Sequence, residues 1–265
     1  MEPLEAELER ARDLDVADLA DAIESIGFEC TRCGACCKGY DPEAESDGCH
    51  GGGAESSEDG DDGDGDDREE SVDAGDAPKP EPHTATVFPD EVRELRDEGT
   101  DSLEADYDWR DIARPMPYGL DETDGGLEGE TFEWALQTDA CGDCTFYAEE
   151  DGQGACTVHD SRPLICQTYP FSVALGGTSQ PMGEAVDEQG MVRAHECEGL
   201  GRDIDRDEAV ELAAALKRRA IREIEEAIGV RENYDPTAAE GTDADVVVFD
   251  SEGAKRADGT PLDDD

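Results

Sequence analysis

Cysteine is the residue type whose spacing in this sequence most directly predicts chemistry. Four thiols occur within eight residues, at Cys30, Cys33, Cys36 and Cys37. Thiolates are strong ligands for zinc and for iron–sulfur clusters, so a run this dense predicts a metal site. Because neighbouring side chains tend to diverge, the adjacent Cys36 and Cys37 are expected to serve two different centres or two irons of one cluster.

A second set of cysteines follows about a hundred residues later. It comprises Cys141, Cys144, Cys156, Cys166 and Cys197. Pro163 and Pro170 bracket Cys166 and restrict the backbone on both sides, which would hold that thiolate on a rigid turn. Arg162 and Lys38 lie close to cysteines in the sequence, and positive charges there would offset the negative charge of a thiolate centre.

The start of the chain and its lack of long apolar runs predict the cellular compartment. The first residues have neither the basic start nor the apolar stretch of a signal peptide. No apolar run approaches the roughly eighteen residues that span a bilayer. We therefore expect a cytoplasmic protein without membrane association, whose thiols stay reduced, and metal ligation is favoured over a disulfide framework.

The second large feature is negative charge. Asp and Glu number 73 against 21 Lys and Arg, so the net charge is −52. Such a chain repels itself in dilute buffer, whereas at molar salt the Debye length falls to about 3 Å and screens most of that repulsion. The composition therefore predicts a halophile's protein. It also argues against nucleic-acid binding, because no basic stripe exists to neutralise phosphates.

The elements that must position the cysteines are expected to form one α+β domain, interrupted by an insertion. Residues 1–40 hold a predicted amphipathic helix over 3–27 and the first cysteine run. The apolar stripe of this helix has one gap, at Asp15, and Gly27 is expected to end it. Residues 41–83 form an insertion so acidic and so poor in apolar residues that we expect it to be disordered. Residues 84–230 complete the domain, and residues 231–265 are expected to be an acidic, mostly irregular tail.

Hydrophobic periodicity predicts the shorter elements of this domain. The expected helices cover 88–96 and 206–229, and the expected strands lie near 131–138, 145–147, 156–158 and 246–249. Phe132, Trp134 and Leu136 are expected on one face of the first of these strands. Aromatic residues make up only 5% of the chain, so the core should be thin. We therefore expect a small irregular cysteine core that metal staples together, flanked by an N-terminal and a C-terminal amphipathic helix.

Taken together, the cysteine motifs resemble the CxxCxxCC cysteine-cluster family of the YkgJ type, a zinc- or iron-chelating domain. The resemblance rests on CxxCxxCC at 30–37, Cys-x-Phe at 144–146, Cys-x2-His at 156–159, Arg-Pro-x2-Cys at 162–166, Tyr-Pro-Phe at 169–171 and Cys-Glu-Gly at 197–199. It implies eight metal ligands, which are Cys30, Cys33, Cys36, Cys37, Cys144, Cys156, Cys166 and Cys197.

Two further cysteines, two histidines and the acidic insertion lie outside this set of eight ligands. Cys49 and Cys141 fall outside the family pattern, and the insertion is a departure from it. His159 occupies a position where the family often has tyrosine, which favours packing over ligation. His195 stays open as a ligand, because histidine commonly binds metals but the cysteines already suffice.

Three classes of function follow from these motifs. The favoured one is a binding module for zinc or iron, with an iron–sulfur cluster included and with either two centres or one polynuclear centre. The alternative is a cluster-dependent enzyme, methyltransferase-like or redox, since a related cysteine cluster occurs in flagellin lysine methylases. The sequence has no glycine-rich nucleotide loop and no hydrolase or metalloprotease motif. A scaffold whose acidic insertion binds a protein partner is a third, weaker reading.

Overall fold

The computed structural model describes residues 3–39, 82–102, 106–150, 153–175, 185–187, 190–239 and 242–262. Almost all of the predicted acidic insertion, including Cys49, lies outside these residues.

Within the described residues the chain forms six α-helices and one 3-10 turn. They are α1 (Leu4–Asp13), α2 (Val16–Ile26), α3 (Pro89–Ser102), α4 (Trp109–Ile112), the 3-10 turn His159–Ser161, α5 (Leu164–Thr168) and α6 (Arg206–Asn233). None of the described helices has both the length and the apolar character that a membrane crossing requires.

Short strands complete the described structure and pair into four small sheets. They are β1 (Thr86–Val87), β2 (Ala113–Pro115), β3 (Leu120–Thr123), β4 (Gly126–Phe132), β5 (Trp134–Leu136), β6 (Tyr147–Glu150), β7 (Gln153–Cys156), β8 (Phe171–Val173), β9 (Ala185–Asp187), β10 (Val192–His195), β11 (Val246–Asp250) and β12 (Gly253–Arg256). The sheet orders are β1-β5-β2, β8-β10-β9, β12-β11-β4-β3 and β6-β7. The expected α+β class is confirmed.

The N-terminal segment forms two helices where one was expected. Asp15 accepts a hydrogen bond from the backbone N–H of Ala17 and caps α2, so the gap in the apolar stripe is a helix boundary. The expected stop at Gly27 is confirmed. Its φ of 79° lies in the left-handed region, and a Cβ there would lie 2.5 Å from the Arg202 carbonyl oxygen.

The first apolar core lies where α1 and α2 pack against α6 and against the β8-β10-β9 sheet. Ile23, Phe171, Leu216 and Ile224 are fully buried in it. Periodicity predicts one apolar stripe on α6, formed by Val210, Ala213, Leu216, Ala220, Ile224 and Ile228. Four of these six are buried, whereas Ile228 is half-buried and Val210 is 37% exposed. The helix also runs four residues beyond the predicted end at 229.

The second apolar core forms around α3, α4 and the β1-β5-β2 sheet. Leu95, Trp134, Leu136 and Val248 are buried there. The predicted strand over 131–138 is interrupted at Glu133, whose φ of 65° ends β4 before β5 begins.

This break changes which aromatic side chains share a face. Phe132 does not share a face with Trp134 as expected. It is 48% exposed and packs against the rings of Tyr234 and Phe249, whereas Trp134 is buried against Trp109.

The C-terminal segment differs from the irregular tail that we expected. The predicted strand near 246–249 is present as β11, which runs parallel to β4 and is buried along its whole length. It then returns as β12, so residues 246–256 form a hairpin of the sheet. The run of three valines and a phenylalanine explains this, because it lets one strand contribute apolar side chains to both faces.

Candidate metal centre

The first four candidate ligands lie on an irregular segment of residues 28–39, the cysteine strap. Its start is fixed to the residues that follow Cys197. The backbone N–H of Glu29 donates to the Gly199 carbonyl oxygen at 3.0 Å. A Cβ on Gly199 would lie 2.3 Å from the Glu29 carbonyl oxygen, so only glycine permits this approach. The contact places Cys30 beside the loop that carries Cys197.

The end of the strap is fixed to the segment that carries Cys144 and Cys156. The backbone N–H of Cys144 donates to the carbonyl oxygen of Cys37 at 2.7 Å. The N–H of Gly154, on β7, donates to the carbonyl oxygen of Arg32 at 2.7 Å. These two bonds bring the strap against the downstream cysteines.

The Tyr147 ring locks the strap onto the β6-β7 hairpin. A Cβ on Gly34 would lie 2.4 Å from the Tyr147 hydroxyl oxygen, and a Cβ on Gly154 would lie 2.8 Å from the ring. The hydroxyl donates to Glu149 at 2.7 Å, and Lys38 pairs with the same carboxylate at 2.8 Å. No sequence motif pointed to Tyr147, because its partners lie on both sides of the insertion.

The remaining candidate ligands lie on separate elements of the second half. Cys144 precedes β6, Cys156 ends β7, Cys166 lies in α5 and Cys197 follows β10. The rigid turn expected at Cys166 is a single turn of helix that begins directly after Pro163.

Among the cysteines that the structure describes, eight are free thiols, and they are the eight that the family resemblance implies. They are Cys30, Cys33, Cys36, Cys37, Cys144, Cys156, Cys166 and Cys197. Cys141 is disulfide-bonded, so the expectation that the thiols stay reduced is wrong for this residue, and it lies outside the set.

Electrostatic interactions connect the strap to the thiols of the second half. The Sγ atoms of Cys36 and Cys37 lie 3.8 Å apart, so the two side chains do not diverge as expected, and this contact raises the pKa of Cys36. Burial raises the pKa of Cys166 well above its usual value, and the charges of Cys144, Cys156 and Cys36 act in the same direction. Burial also raises the pKa of Cys144, to about 11.

Cys197 interacts with the thiols of the strap at Cys30, Cys33 and Cys36. Its pKa is raised by burial and then by the charges of Cys33, Cys36 and Cys30, while the Gly199 N–H opposes the rise. The charge of Cys36 raises the pKa of both Cys166 and Cys197.

The thiols differ in their exposure to solvent. Cys30 and Cys36 are exposed. Cys144 is buried in the second apolar core. Three further thiols pack against that core, and they are Cys37, Cys156 and Cys166.

Arg162 supplies positive charge where the sequence predicted it. Its charge opposes the rise in the pKa of Cys36 and of Cys156. Its Nε donates to the His159 carbonyl oxygen at 2.9 Å, which restrains the side chain. A cation at this position would offset the charge of a thiolate-bound metal.

The two histidines differ in environment. The His195 side chain is buried, and its Nε2 lies 2.9 Å from the Ser172 hydroxyl oxygen. The His159 side chain is 62% exposed and lies 3.4 Å from Asp160, so the packing role expected for it is not observed.

The thiols fit a soft metal by their chemistry, since free sulfur donors from both halves of the chain lie close enough to raise one another's pKa. In the part of the chain that the structure describes, no three His, Cys, Asp or Glu side chains are already arranged to hold a metal ion. Ligation therefore requires the thiol side chains to turn toward a shared centre.

Comparison with known proteins agrees with this chemistry. Residues 81–198 match the family model CxxCxxCC, described as a putative zinc- or iron-chelating domain. The expected resemblance is confirmed over this segment, which contains the last four candidate ligands but not the strap. No curated protein and no solved structure matches the chain.

Proposed function

We propose that this protein binds zinc or iron through its eight free thiols, arranged as two adjoining sets of four. The outer set is Cys30, Cys33, Cys36 and Cys197. The inner set is Cys37, Cys144, Cys156 and Cys166. The observation that carries the proposal is the set of backbone hydrogen bonds that holds the strap against the second half of the chain. These bonds bring the four thiols before the insertion close to the four thiols after it.

The outer set is supported by the contact between the strap and the loop after Cys197. Cys30 and Cys33 have the two-residue spacing of a zinc knuckle, which presents both sulfurs to one ion. The Glu29–Gly199 hydrogen bond brings Cys197 to them from the other side.

The inner set is supported by burial and by the Cys37–Cys144 backbone bond. Its four thiols lie in or against the second apolar core, and burial raises the pKa of three of them, Cys144, Cys156 and Cys166. Metal binding would displace these protons, because only the thiolate is a strong ligand. Binding at the inner set should therefore strengthen as pH rises.

The short distance between Cys36 and Cys37 makes the two sets adjoin. At 3.8 Å between sulfurs, the pair suits either two neighbouring mononuclear ions or one polynuclear centre. Four thiolates around a divalent ion leave two net negative charges, and Arg162 lies where it would offset part of that charge. The metal-to-protein ratio separates the two arrangements.

The proposal is tested by anaerobic purification in molar salt, followed by elemental analysis and a visible spectrum. We expect bound zinc or iron, with brown colour and broad absorbance if the iron is held as a cluster. Cys30→Ser and Cys144→Ser should each lose about half of the metal, because each removes a ligand of one set.

The matched control replaces both cysteines outside the sets, Cys49→Ser with Cys141→Ser, and should keep the full metal content. Folded, reduced protein that holds no metal after incubation with zinc or ferrous iron would overturn the proposal.

A further inference from the structure

We infer that Glu91 and Arg219, two buried side chains outside the thiol sets, position Cys166 by holding opposite ends of α5. The inference rests on the proposed metal binding for its functional meaning. The helix that carries Cys166 is only five residues long, and its N-cap residue, Pro163, offers no side-chain hydrogen bond. A helix this short does not hold itself in place, so other elements must fix it.

Glu91 holds the first residue of α5. It reaches across from α3, and its Oε1 accepts a hydrogen bond from the Leu164 N–H at 2.8 Å. Its Oε2 accepts from the Phe88 N–H at 3.0 Å, so both carboxylate oxygens are used. Glu91 therefore supplies the N-terminal cap that Pro163 cannot supply. Burying a carboxylate is costly unless it is hydrogen-bonded, and these two bonds offset that cost.

Arg219 holds the last residue of α5. It is 2% exposed on α6, and its Nη1 donates to the Thr168 hydroxyl oxygen at 3.0 Å and to the Phe171 carbonyl oxygen at 3.1 Å. The Thr168 hydroxyl in turn donates to the Leu164 carbonyl oxygen at 2.8 Å. The Thr168 hydroxyl therefore links Arg219 to Leu164, the residue whose N–H Glu91 caps.

Cys166 lies between these two attachments. A carboxylate at the N–H end and a guanidinium at the carbonyl end also match the polarity of the helix. Because metal ligation depends on sulfur positions within tenths of an ångström, a freed α5 would move Cys166 away from Cys144 and Cys156. The outer set does not depend on α5 and should be unaffected.

The test compares Glu91→Ala, Glu91→Gln and Thr168→Val with Glu94→Ala, which changes an exposed residue of the same helix. Cobalt titration should show inner-set affinity at least about tenfold weaker in Glu91→Ala and Thr168→Val, as expected for a lost buried hydrogen bond. Glu91→Gln keeps an acceptor for the Leu164 N–H and should recover most of the affinity. Outer-set binding and the Glu94→Ala variant should match the wild type.

A second measurement does not depend on metal. Alkylation of the metal-free protein, resolved by mass spectrometry, should label Cys166 faster in Glu91→Ala and Thr168→Val, while Cys30 keeps its wild-type rate. Wild-type labelling of Cys166 together with wild-type cobalt affinity would overturn the inference. If Glu91→Ala does not fold, Thr168→Val decides by the same criteria. If the wild type binds no cobalt, the proposed function fails, and labelling alone decides whether α5 is held as inferred.

Discussion

The backbone N–H of Cys144 donates to the carbonyl oxygen of Cys37 at 2.7 Å. This single bond joins the last thiol before the insertion to the first free thiol after it. Together with the Gly154–Arg32 bond, it places the strap against the β6-β7 hairpin. The candidate metal centre is thus assembled by contacts between distant parts of the chain, and the predictions below test that assembly.

Gly154→Ala should displace the strap. A Cβ at this position would lie 2.8 Å from the Tyr147 ring and 3.1 Å from the Arg32 carbonyl oxygen, so one of them must move. Overpacking of this kind costs about 1–3 kcal/mol. We expect that loss in the free energy of unfolding, measured with denaturant in molar salt, together with weaker metal retention. Gly125→Ala is the matched control, because nothing lies closer than 3.6 Å to its Cβ. Equal stability of the two variants would contradict the role of Tyr147.

Replacing residues 41–81 with about ten Gly and Ser residues should leave the metal content unchanged. The two ends of the insertion attach to neighbouring residues: the Gly39 N–H donates to Asp143 at 2.9 Å, and the His83 N–H donates to the Gly142 carbonyl oxygen at 2.7 Å. The variant also carries Cys141→Ser, because Cys141 is disulfide-bonded and the removed segment contains Cys49. Elemental analysis measures the metal content. Loss of metal would show that the insertion, and not only the strap, supplies ligands.

Glu133→Gln should stabilise the protein above neutral pH. Burial, followed by the charges of Glu226 and Glu223, raises the pKa of Glu133 to about 7. The folded state then binds more protons than the unfolded state between pH 4.5 and 7, so this group's contribution to stability falls as pH rises through that window. The variant should gain about 1–3 kcal/mol over the wild type at pH 8 and little at pH 4.5. The exposed Glu130→Gln is the control, and a gain that is independent of pH would contradict this account.

Stability should rise steeply with salt. The net charge of −52 is screened over about 10 Å at 0.1 M salt and over about 3 Å at 1 M. We expect the Tm to increase between 0.1 M and 2 M potassium chloride, because screening removes self-repulsion in the compact state. Sucrose at the same osmolarity serves as the uncharged control. A Tm that does not depend on salt would refute the halophilic interpretation.

Local patterns predicted much of this structure. The α6 stripe, the Gly27 stop and the β11 strand were readable because each depends on neighbouring residues. The break at Asp15 was visible only as a gap in the stripe. The left-handed Glu133 was not readable, because its conformation depends on the separate sheets that β4 and β5 join.

The sequence also names the candidate ligands, which stay a prediction, but it does not reveal the residues that support them. Cysteine spacing is easily recognised in a sequence, whereas Glu91 is one of 73 acidic residues and lies in the first turn of α3, where acidic residues are common. Arg219 lies within a helix rich in charged residues, and nothing in its local sequence marks it as buried. Their roles arise from α3, α5 and α6 meeting in space.

X-ray absorption at the metal edge of the purified protein tests the central claim most directly. Coordination by the eight free thiols predicts a first shell of about four sulfur atoms per metal, at about 2.3 Å for zinc. Cys141→Ser should leave that shell unchanged, whereas Cys144→Ser should reduce its sulfur count. A first shell dominated by nitrogen or oxygen would contradict the claim that these eight cysteines hold the metal.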